Sequence, residues 1–293
     1  MKIGVVGLGR MGSIMAARLV DAGHEVSVYD PVEAAVKALA AKGARGAASL
    51  AELAEGREAV LTVLPTDAIF EAVVTADGGL ARHMPKGSVH MVCGTHGLPL
   101  VDRMAEAHEA AGQVLLATNM LGRPERVAEG ALGFILGGPT EVMDRVQPVL
   151  DVLGSSFIRA GDKPAAAVVC KLANSFVLGC SIEATGEAMA LVRKYGVDPH
   201  VLYSVLTDGL FDCVAYRGYG DVIAKQDWGR VGATVRIGLK DTDLAFEAAK
   251  QVNTPLPSGE VYRNHLLGAL NHDEGDLDWS VMAREQFRHS GLE

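Results

Sequence analysis

Six residues near the start of the chain have the spacing of a turn that binds phosphate through main-chain groups. They are Gly7, Leu8, Gly9, Arg10, Met11 and Gly12. In such a turn the first glycine permits a tight bend, the second lets the backbone approach a pyrophosphate, and the third lets the following helix pack closely on the preceding strand. The anion lies on N–H groups at the helix start, where the dipole favours negative charge. The spacing predicts a dinucleotide site; a glycine-rich turn without a ligand is the alternative.

A second apolar run, residues 26–29, ends at Asp30, at the spacing expected for an acid that binds the adenosine ribose. Its carboxylate would accept hydrogen bonds from the ribose diol and would repel a 2′-phosphate. Residues 31–34 contain no Arg or Lys that would offset this repulsion. The sequence therefore predicts NAD, rather than NADP, as the cofactor.

Two further strand ends carry residues that we expect near the cofactor. The apolar run 59–64 ends at Leu64 and Pro65, and the run 88–92 is followed closely by Thr95. Doubly wound sheets bind their ligands beyond the carboxyl ends of the strands. This position predicts contacts with the dinucleotide for Leu64 and Pro65 and places Thr95 at the same edge of the sheet.

Lys171 and Asn174 lie three residues apart in a long helical pattern, which places both side chains on one helix face. Their neighbours include Val168, Leu172 and Leu178, so this face is expected to enter a largely buried setting. A buried ammonium is costly unless it has a partner or a function. A solvated surface lysine is the alternative, but the position directly after the predicted nucleotide domain favours a substrate site.

The composition sets limits on the class of protein. A chain of 293 residues with 49% hydrophobic and 22% charged residues is globular and long enough for two domains. The net charge of −9 is spread along the chain, which argues against a nucleic-acid surface. Polar and charged residues are expected to interrupt every apolar run before it reaches the length of a membrane span, and Met1 leads directly into a strand with no room for a cleavable signal.

The four cysteines show neither C-x-x-C spacing nor a nearby pair of histidines, so no metal site is predicted. They are interpreted as reduced thiols, which is typical of a cytoplasmic protein.

The elements that must position these residues fall into two groups. Residues 1–161 alternate short apolar runs with helical patterns, which predicts an α/β domain, a Rossmann-type doubly wound parallel sheet. Residues 162–293 show helical patterns only, beginning with one helix over residues 164–195 and continuing around 200–207, 219–224, 237–252, 259–270 and 279–288. We therefore predict an all-α C-terminal domain. The apolar residues on several faces of the long helix suggest burial against a second subunit.

Three segments in order resemble motifs of the β-hydroxyacid dehydrogenase family, which includes 3-hydroxyisobutyrate dehydrogenases and 2-hydroxy-3-oxopropionate reductases. Residues 7–12, with Met15-Ala16 and Gly23-His24, are similar to its cofactor signature. Residues 171–174 are similar to its catalytic Lys-x-x-Asn segment, and residues 239–241 to its C-terminal cofactor segment. The similarity extends from residue 1 to about residue 279. It implies a small-molecule 3-hydroxy acid or its semialdehyde as substrate, and a homodimer or homotetramer.

The resemblance also implies roles for individual residues. Lys171 would be the general acid and base: its neutral amine takes the alcohol proton as hydride leaves for the nicotinamide. This requires a lowered pKa of Lys171, which burial beside the cationic nicotinamide would cause. Asn174 would hold the substrate, Thr95 would touch cofactor and substrate, and Lys240 would reach over the dinucleotide. A surface lysine paired with Asp241 or Asp243 is the alternative for Lys240. The two aspartates themselves are expected to organise helix ends rather than to take part in the chemistry.

Two departures from the family pattern affect the predicted substrate. The loop that in the family reads Ser-Gly-Gly reads Leu121-Gly122-Arg123, so Gly122 is kept and the serine hydroxyl is absent. The companion Ser-Thr pair reads Gly94-Thr95, in a segment that is one residue longer than usual. Each missing donor would weaken carboxylate binding by about 1–3 kcal/mol if its partner stayed buried and unpaired.

Two explanations for these departures remain open. Either Arg123 or His96 binds the substrate anion in place of the serines, Arg123 through a bidentate contact. Otherwise the substrate is larger and less polar. Three aromatic side chains are interpreted as core or pocket wall that would seat such a substrate, namely Phe211, Tyr216 and Tyr219.

Three other functions are weighed against a dehydrogenase. Imine reductases and reductive aminases share this architecture, but they usually lack a lysine at the position of Lys171. A non-catalytic NAD-binding protein would bind the cofactor without transferring hydride. A metal-dependent hydrolase based on His272, Asp273 and Glu274 is disfavoured because these residues lie in a polar turn near the C-terminus.

Overall fold

The computed structural model describes all 293 residues and divides into two compact units, Met1–Lys171 and Leu172–Glu293. The sequence predicted a division at residues 161 and 162, just before a long helix. The helix does begin there, at Pro164, but it is continuous through Lys194. Its first two turns belong to the first unit. They pack closely on the strand that ends at Gly137, since a Cβ built on that residue would lie only 2.9 Å from the Cβ of Ala167.

The first unit is built on one sheet of eight strands, whose order is β3-β2-β1-β4-β5-β6-β7-β8. The strands are β1 (Lys2–Val6), β2 (Glu25–Tyr29), β3 (Arg45–Gly46), β4 (Ala59–Thr62), β5 (Val89–Val92), β6 (Val114–Leu121), β7 (Leu132–Gly137) and β8 (Gly154–Gly161). The chain runs outward from β1 to β3 and then returns to place β4 on the other side of β1. This reversal is the topological switch of a doubly wound sheet, beside which such folds bind ligands.

All neighbouring strands are parallel except β6 and β7, which are antiparallel. The predicted Rossmann-type sheet is confirmed, and this one pair corrects the expectation of parallel strands throughout. The physical reason is the short connection over residues 122–131, because a parallel crossover needs a dozen or more residues.

Helices cover both faces of this sheet, so its central strands are buried on both sides. In the first unit they are α1 (Arg10–Asp21), α2 (Glu33–Ala40), α3 (Leu50–Ala54), α4 (Asp67–Thr75), α5 (Leu80–His83), α6 (Leu98–Ala110), α7 (Pro124–Ala128) and α8 (Thr140–Leu153). Local capping starts two of them: Ser49 Oγ accepts from Glu52 N at 3.1 Å, and Thr66 Oγ1 accepts from Ile69 N at 3.3 Å. Strands β4 and β5 are fully buried, as parallel strands between two helical layers must be.

The second unit is helical, as predicted. It contains most of α9 (Pro164–Lys194), then α10 (Pro199–Thr207), α11 (Val214–Lys225), α12 (Val235–Gln251), α13 (Pro257–Asn271), a 3₁₀ turn (Trp279–Val281) and α14 (Met282–His289). Two glycines on α9 allow close packing: a Cβ on Gly179 would lie 2.7 Å from the ring of Tyr262, and one on Gly186 would lie 2.6 Å from Ala283. In both places the absence of a side chain on α9 lets a residue of a neighbouring helix approach its backbone closely.

Helix α9 is long and apolar enough to cross a membrane by length and composition alone. This differs from the expectation that polar residues interrupt every apolar run, because residues 164–186 carry only two charged side chains, Lys171 and Glu183. The core helix of a globular unit passes the same test. On α9, Ile182 and Met189 are buried in the core of the second unit.

Candidate functional site

The glycine-rich turn after β1 has the geometry that its spacing predicts. Gly7 has a φ of 90°, and a Cβ there would lie 2.4 Å from the carbonyl oxygen of Val63. A Cβ on Gly12 would lie 1.9 Å from the carbonyl oxygen of Gly7, so α1 packs directly on the turn. Gly9, the N-cap of α1, is exposed and would meet nothing within 4 Å. The fold itself therefore requires Gly7 and Gly12, whereas the open space at Gly9 fits the close approach of a phosphate group.

Leu64 and Pro65 lie beside this turn, at the end of β4. The Leu64 side chain is buried, and its Cδ2 is 3.2 Å from the position of a Cβ on Gly7. Pro65 is exposed. Because β1 and β4 flank the topological switch, both residues lie at the crevice where a doubly wound sheet binds its ligand.

Asp30 is tied to the glycine-rich turn. Its Oδ2 accepts a hydrogen bond from Leu8 N at 2.7 Å, and its Oδ1 accepts one from Val32 N at 2.8 Å. A carboxylate offers about four lone-pair positions, so both oxygens can still accept hydrogen bonds from a ribose diol. The structure thus brings Asp30 to the glycine-rich turn, whereas the sequence related the two only by their spacing.

The loop after β5 carries Thr95, which is half-buried. Next to it, the carbonyl oxygen of Gly94 accepts a hydrogen bond from Asn119 Nδ2 at 2.8 Å. Cys93 precedes this loop, and burial raises the pKa of its thiol to about 12. This cysteine therefore remains a protonated thiol near neutral pH and is a packing residue.

Gly122 and Arg123 follow β6. Gly122 has a φ of 141°, a conformation that favours glycine, and a Cβ there would lie 2.9 Å from Leu132 Cδ2. Arg123 is half-buried at the N-cap of α7. Helix α7 is held from its other end, because Arg18 Nη1 donates to the carbonyl oxygen of Ala128 at 2.6 Å. Sequence reasoning did not single out Arg18.

Lys171 and Asn174 lie on α9, as predicted, but their surroundings differ from the expectation. Lys171 is half-buried between two buried residues, Val168 and Leu172, whereas Asn174 is exposed within the chain. The predicted buried neighbours are therefore present around Lys171, whereas the amide of Asn174 is exposed to solvent. Such an exposed amide is available for hydrogen bonding to a small polar molecule.

Helix α12 contributes Lys240, whose Nζ lies 3.2 Å from Asp241 Oδ1. The second oxygen of Asp241 accepts a hydrogen bond from Ser175 Oγ at 3.3 Å, so a buried carboxylate links α12 to the residue after Asn174. Asp243 forms a separate ion pair with Arg263 at 2.6 Å. Both aspartates lie in the interior of α12, so the suggestion that they organise helix ends is wrong. Sequence reasoning missed the bridging position of Asp241, because Ser175 is 66 residues away in the chain.

The aromatic residues proposed as core or pocket wall occupy different settings. Phe211 is exposed and lies against Tyr216 with ring centroids 5.0 Å apart. Tyr219 packs edge-on against Trp279 at 6.1 Å. Phe211 is therefore not a core residue.

The residues of the alternative hydrolase site have other partners. Glu274 is buried and forms ion pairs with Arg284 at 2.8 Å and Arg288 at 2.6 Å. His272 is exposed, 3.9 Å from Glu285. Their ion pairs support a structural role at the end of α13.

Two family models match the chain in succession. Residues 2–161 match the NAD binding domain of 6-phosphogluconate dehydrogenase, and residues 165–285 match the NAD-binding domain of NADP-dependent 3-hydroxyisobutyrate dehydrogenase. The 3-hydroxyisobutyrate dehydrogenase of Pseudomonas aeruginosa is 36% identical over 96% of this chain and 97% of its own.

Two solved structures share the fold of this chain. The 3-hydroxyisobutyrate dehydrogenase of Mycobacterium tuberculosis, in a structure with L-serine, superposes with a TM-score of 0.88 at 26% identity, covering 97% of this chain and 98% of its own. An imine reductase from a Pseudomonas species shares the fold at a TM-score of 0.63 and 21% identity, covering 96% of this chain and 98% of its own. The imine reductase is thus the more distant of the two in both backbone and sequence.

Proposed function

Because the chain belongs to the β-hydroxyacid dehydrogenase family and is an oxidoreductase that binds a nicotinamide dinucleotide, we propose that it transfers hydride between NAD and a 3-hydroxy acid or the corresponding semialdehyde. The observation that carries this proposal is the pair Lys171 and Asn174 on one face of α9, in a chain whose first unit offers an open phosphate-binding turn at Gly9. Relatives named 3-hydroxyisobutyrate, L-serine and L-threonate dehydrogenase support this substrate class.

The proposed chemistry assigns one proton and one hydride. The bound nicotinamide supplies the carbon that accepts or returns the hydride. Neutral Lys171 takes the proton of the substrate hydroxyl as the C–H bond breaks, and the resulting ammonium returns it to the carbonyl oxygen in the reverse direction. Asn174 holds the substrate by hydrogen bonds, and Thr95 contacts substrate and cofactor. Lys240 contacts the dinucleotide.

Replacement of Lys171 tests the mechanism. General acid–base catalysis contributes about 10²–10⁴-fold, so we expect Lys171→Ala to lose at least a hundredfold in kcat. The Kd for NADH, measured by its fluorescence, should change less than about threefold. Lys163→Ala removes an exposed lysine just before α9 and should behave like the wild type. Full turnover in Lys171→Ala would contradict the mechanism.

We propose NAD as the preferred cofactor because of Asp30 and the absence of Arg and Lys from residues 31–34. NADH is expected to bind at least tenfold more tightly than NADPH, and Asp30→Asn should narrow that difference, since it removes the charge that repels a 2′-phosphate. Glu33→Gln, which removes a nearby exposed carboxylate paired with Lys37, is the matched control. Equal or tighter binding of NADPH to the wild type would overturn this preference.

Substrate recognition is proposed to involve the Gly122–Arg123 turn. Arg123 is the cation that this turn offers, and a guanidinium binds a carboxylate in a bidentate manner. Arg123→Lys should raise KM for a hydroxy acid while leaving kcat within about threefold, because a point charge replaces the planar fork. An unchanged KM would exclude Arg123 and favour the larger, less polar class of substrate.

A screen of NAD reduction across hydroxy acids, including bulky and aromatic ones, distinguishes the proposed function from its rivals. Turnover of cyclic imines with no turnover of hydroxy acids would indicate an imine reductase. Tight NADH binding with no turnover of either class would indicate a non-catalytic NAD-binding protein.

We also propose that the protein is a homodimer or homotetramer through an exposed stripe that runs along α9 and includes Tyr195, the residue directly after this helix. The stripe consists of Ala173, Val177, Ala184, Leu191 and Tyr195, which fall within about 40° of one another at 3.6 residues per turn. Val177, Leu191 and Tyr195 are 64%, 60% and 81% exposed, respectively, which is costly for large apolar side chains in water. Light scattering should show an oligomer that Leu191→Glu dissociates; a monomeric wild type at micromolar concentration would reject the proposal.

The protein is proposed to act in the cytoplasm. Its four cysteines form no disulfide with one another, as expected where thiols are kept reduced. Fractionation of the native host, with detection of the untagged chain, tests this location.

A further inference from the structure

His96 lies in the loop between β5 and α6, yet its side chain is completely buried. Its ring stacks on Phe70 with centroids 4.3 Å apart and an angle of 19° between the planes. Its Nδ1 is 2.9 Å from Asp67 Oδ1. Both partners belong to α4, so this loop histidine is held from two sides by a single helix.

Asp67 holds the main chain as well as the ring. Its second oxygen, Oδ2, accepts a hydrogen bond from Gly97 N at 3.1 Å, at the N-cap of α6. One carboxylate therefore fixes the side chain of residue 96 and the backbone of residue 97. On the other side of the loop, Asn119 fixes the carbonyl of Gly94. Thr95 lies between these two anchored positions.

The ring of His96 also occupies the space next to Gly94. A Cβ built on Gly94 would lie 2.5 Å from His96 Nε2 and 2.9 Å from the carbonyl oxygen of Leu64. Real Cβ atoms do not approach other heavy atoms so closely, because packed interiors leave no room for overlap. A side chain at position 94 and the observed ring position of His96 therefore exclude each other.

We infer that His96 is a positioning residue: locked by Asp67, its ring sets the conformation of the Gly94–Thr95 segment and fills the space that a side chain at position 94 would need. This inference rests on the proposed function, in which Thr95 contacts substrate and cofactor. In this inference the completely buried ring, whose Nδ1 contacts Asp67, acts through Thr95 and does not bind the substrate anion itself. The glycine at position 94 and the histidine at position 96 then form one coupled solution.

Two replacements of His96 separate positioning from packing. His96→Gln retains an N–H that can reach Asp67, whereas His96→Leu fills the space on Phe70 without a hydrogen bond. We expect His96→Leu to lower kcat/KM at least tenfold and His96→Gln to stay within about threefold of the wild type. A kcat/KM of His96→Leu that equals or exceeds that of His96→Gln would overturn the inference, because a residue that only fills space would tolerate leucine.

A double-mutant cycle tests the coupling between positions 94 and 96. Gly94→Ala should lower kcat/KM strongly in the wild type. In a His96→Ala background the ring no longer meets the new Cβ, so the factor by which Gly94→Ala lowers kcat/KM should be at least tenfold smaller. The 2.9 Å contact with the main-chain oxygen of Leu64 remains in both backgrounds, so the double variant is expected to keep part of the loss. If Gly94→Ala alone does not fold, the cycle is measured by the urea midpoint: rescue of folding in the double variant supports the coupling, and failure of rescue contradicts it.

The Asp198–His200 pair provides a matched control. It has the same Nδ1-to-carboxylate contact, at 3.0 Å, but lies exposed at the start of α10. His200→Leu and His200→Gln should both leave kcat/KM unchanged. If the wild type oxidises no hydroxy acid, the same cycle is measured on the Kd for NADH and on the urea midpoint, so a failure of the proposed function is distinguished from a failure of this inference.

Discussion

The two units of this protein position the residues of the proposed ligand contacts by different means. In the first unit the main chain forms the turn: Gly7 and Gly12 allow its close packing, and a Cβ on Gly9, the N-cap of α1, would meet nothing within 4 Å. In the second unit side chains provide the positioning: Asp241 holds the Lys240 ammonium with one oxygen and Ser175 with the other. A backbone site depends on local conformation and shape, whereas a side-chain site depends on charges that distant segments bring together.

The units also differ in how they bury histidine. In the first unit, Thr62, His90, His108 and Gln113 form a continuous chain of side-chain contacts at 2.9, 2.8 and 2.6 Å. Burial lowers the pKa of both His90 and His108, so both rings are neutral. In the second unit, contact with Glu183 at 2.8 Å raises the pKa of His265. The same residue type is thus stabilised as a neutral ring in one unit and as a cation in the other.

The largest expected effect comes from changing the shape of the glycine turn. Gly12→Ala would place a Cβ 1.9 Å from the carbonyl oxygen of Gly7, and we expect a loss of about 2–4 kcal/mol in the free energy of unfolding together with loss of NADH binding. Gly9→Ala meets nothing within 4 Å and should leave stability within about 1 kcal/mol while weakening NADH binding at least tenfold. Urea unfolding and NADH fluorescence measure the two quantities. Equal stability losses in the two variants would remove the distinction between them.

A smaller effect is expected from the side-chain site. Asp241→Ala leaves Lys240 and Ser175 without their shared carboxylate and should cost about 1–3 kcal/mol of stability. Because Asp241 positions Lys240, Asp241→Asn should raise the Kd for NADH in the wild type but not in a Lys240→Ala background. Asp243→Asn, which affects the neighbouring pair with Arg263, is the control. An equal rise in Kd in both backgrounds would show that Asp241 acts independently of Lys240.

Acid should destabilise the first unit through its neutral histidines. The unfolded chain protonates each histidine below a pKa of about 6.5, whereas His90 and His108 have lower pKa values in the folded state. The folded state therefore binds fewer protons, and stability falls as the pH drops below about 6.5, by about 1.4 kcal/mol per pH unit for each histidine. Besides each other, these rings face His96 and the uncharged Thr62, Gln113 and Phe70.

Urea unfolding between pH 5 and 7.5 measures this slope. His108→Gln should make the slope shallower, since one histidine no longer titrates on unfolding. An unchanged slope would show that other groups cause the acid sensitivity.

The smallest effect, of opposite sign, belongs to the second unit. The pKa of His265 is raised in the folded state, so its contribution is fully present below about pH 6.5 and is lost as the pH rises through the raised value. Its carboxylate neighbours are Glu183, Glu187 and Glu285. His265→Gln should therefore reduce stability more at pH 6 than at pH 8.5, by less than about 1 kcal/mol. A reduction that is the same at both pH values would indicate packing alone.

Much of the fold was predictable because its signals are local. Ser49 and Thr66, for example, each cap a helix by accepting a hydrogen bond from a main-chain N–H only three positions further along the chain. Helix α6 was not predicted, although Leu100, Val101, Met104 and His108 are buried at helical spacing. The predicted direction of β7 was also wrong, because the direction of a strand depends on the length of its connection and on the strand with which it pairs.

The residues of the candidate site also separate into those that local sequence predicts and those that only tertiary packing places. The order of residues by itself determined the glycine-rich turn, the acid that follows β2 and the shared helix face of Lys171 and Asn174, because each depends on a few neighbouring residues or on the fixed helical repeat. Only the tertiary structure decided that Asp67 holds His96, which lies 29 residues further along the chain, and that the ring then leaves no room for a side chain on Gly94. Contacts of this kind depend on how separate helices and loops pack, and periodicity within a segment carries no information about them.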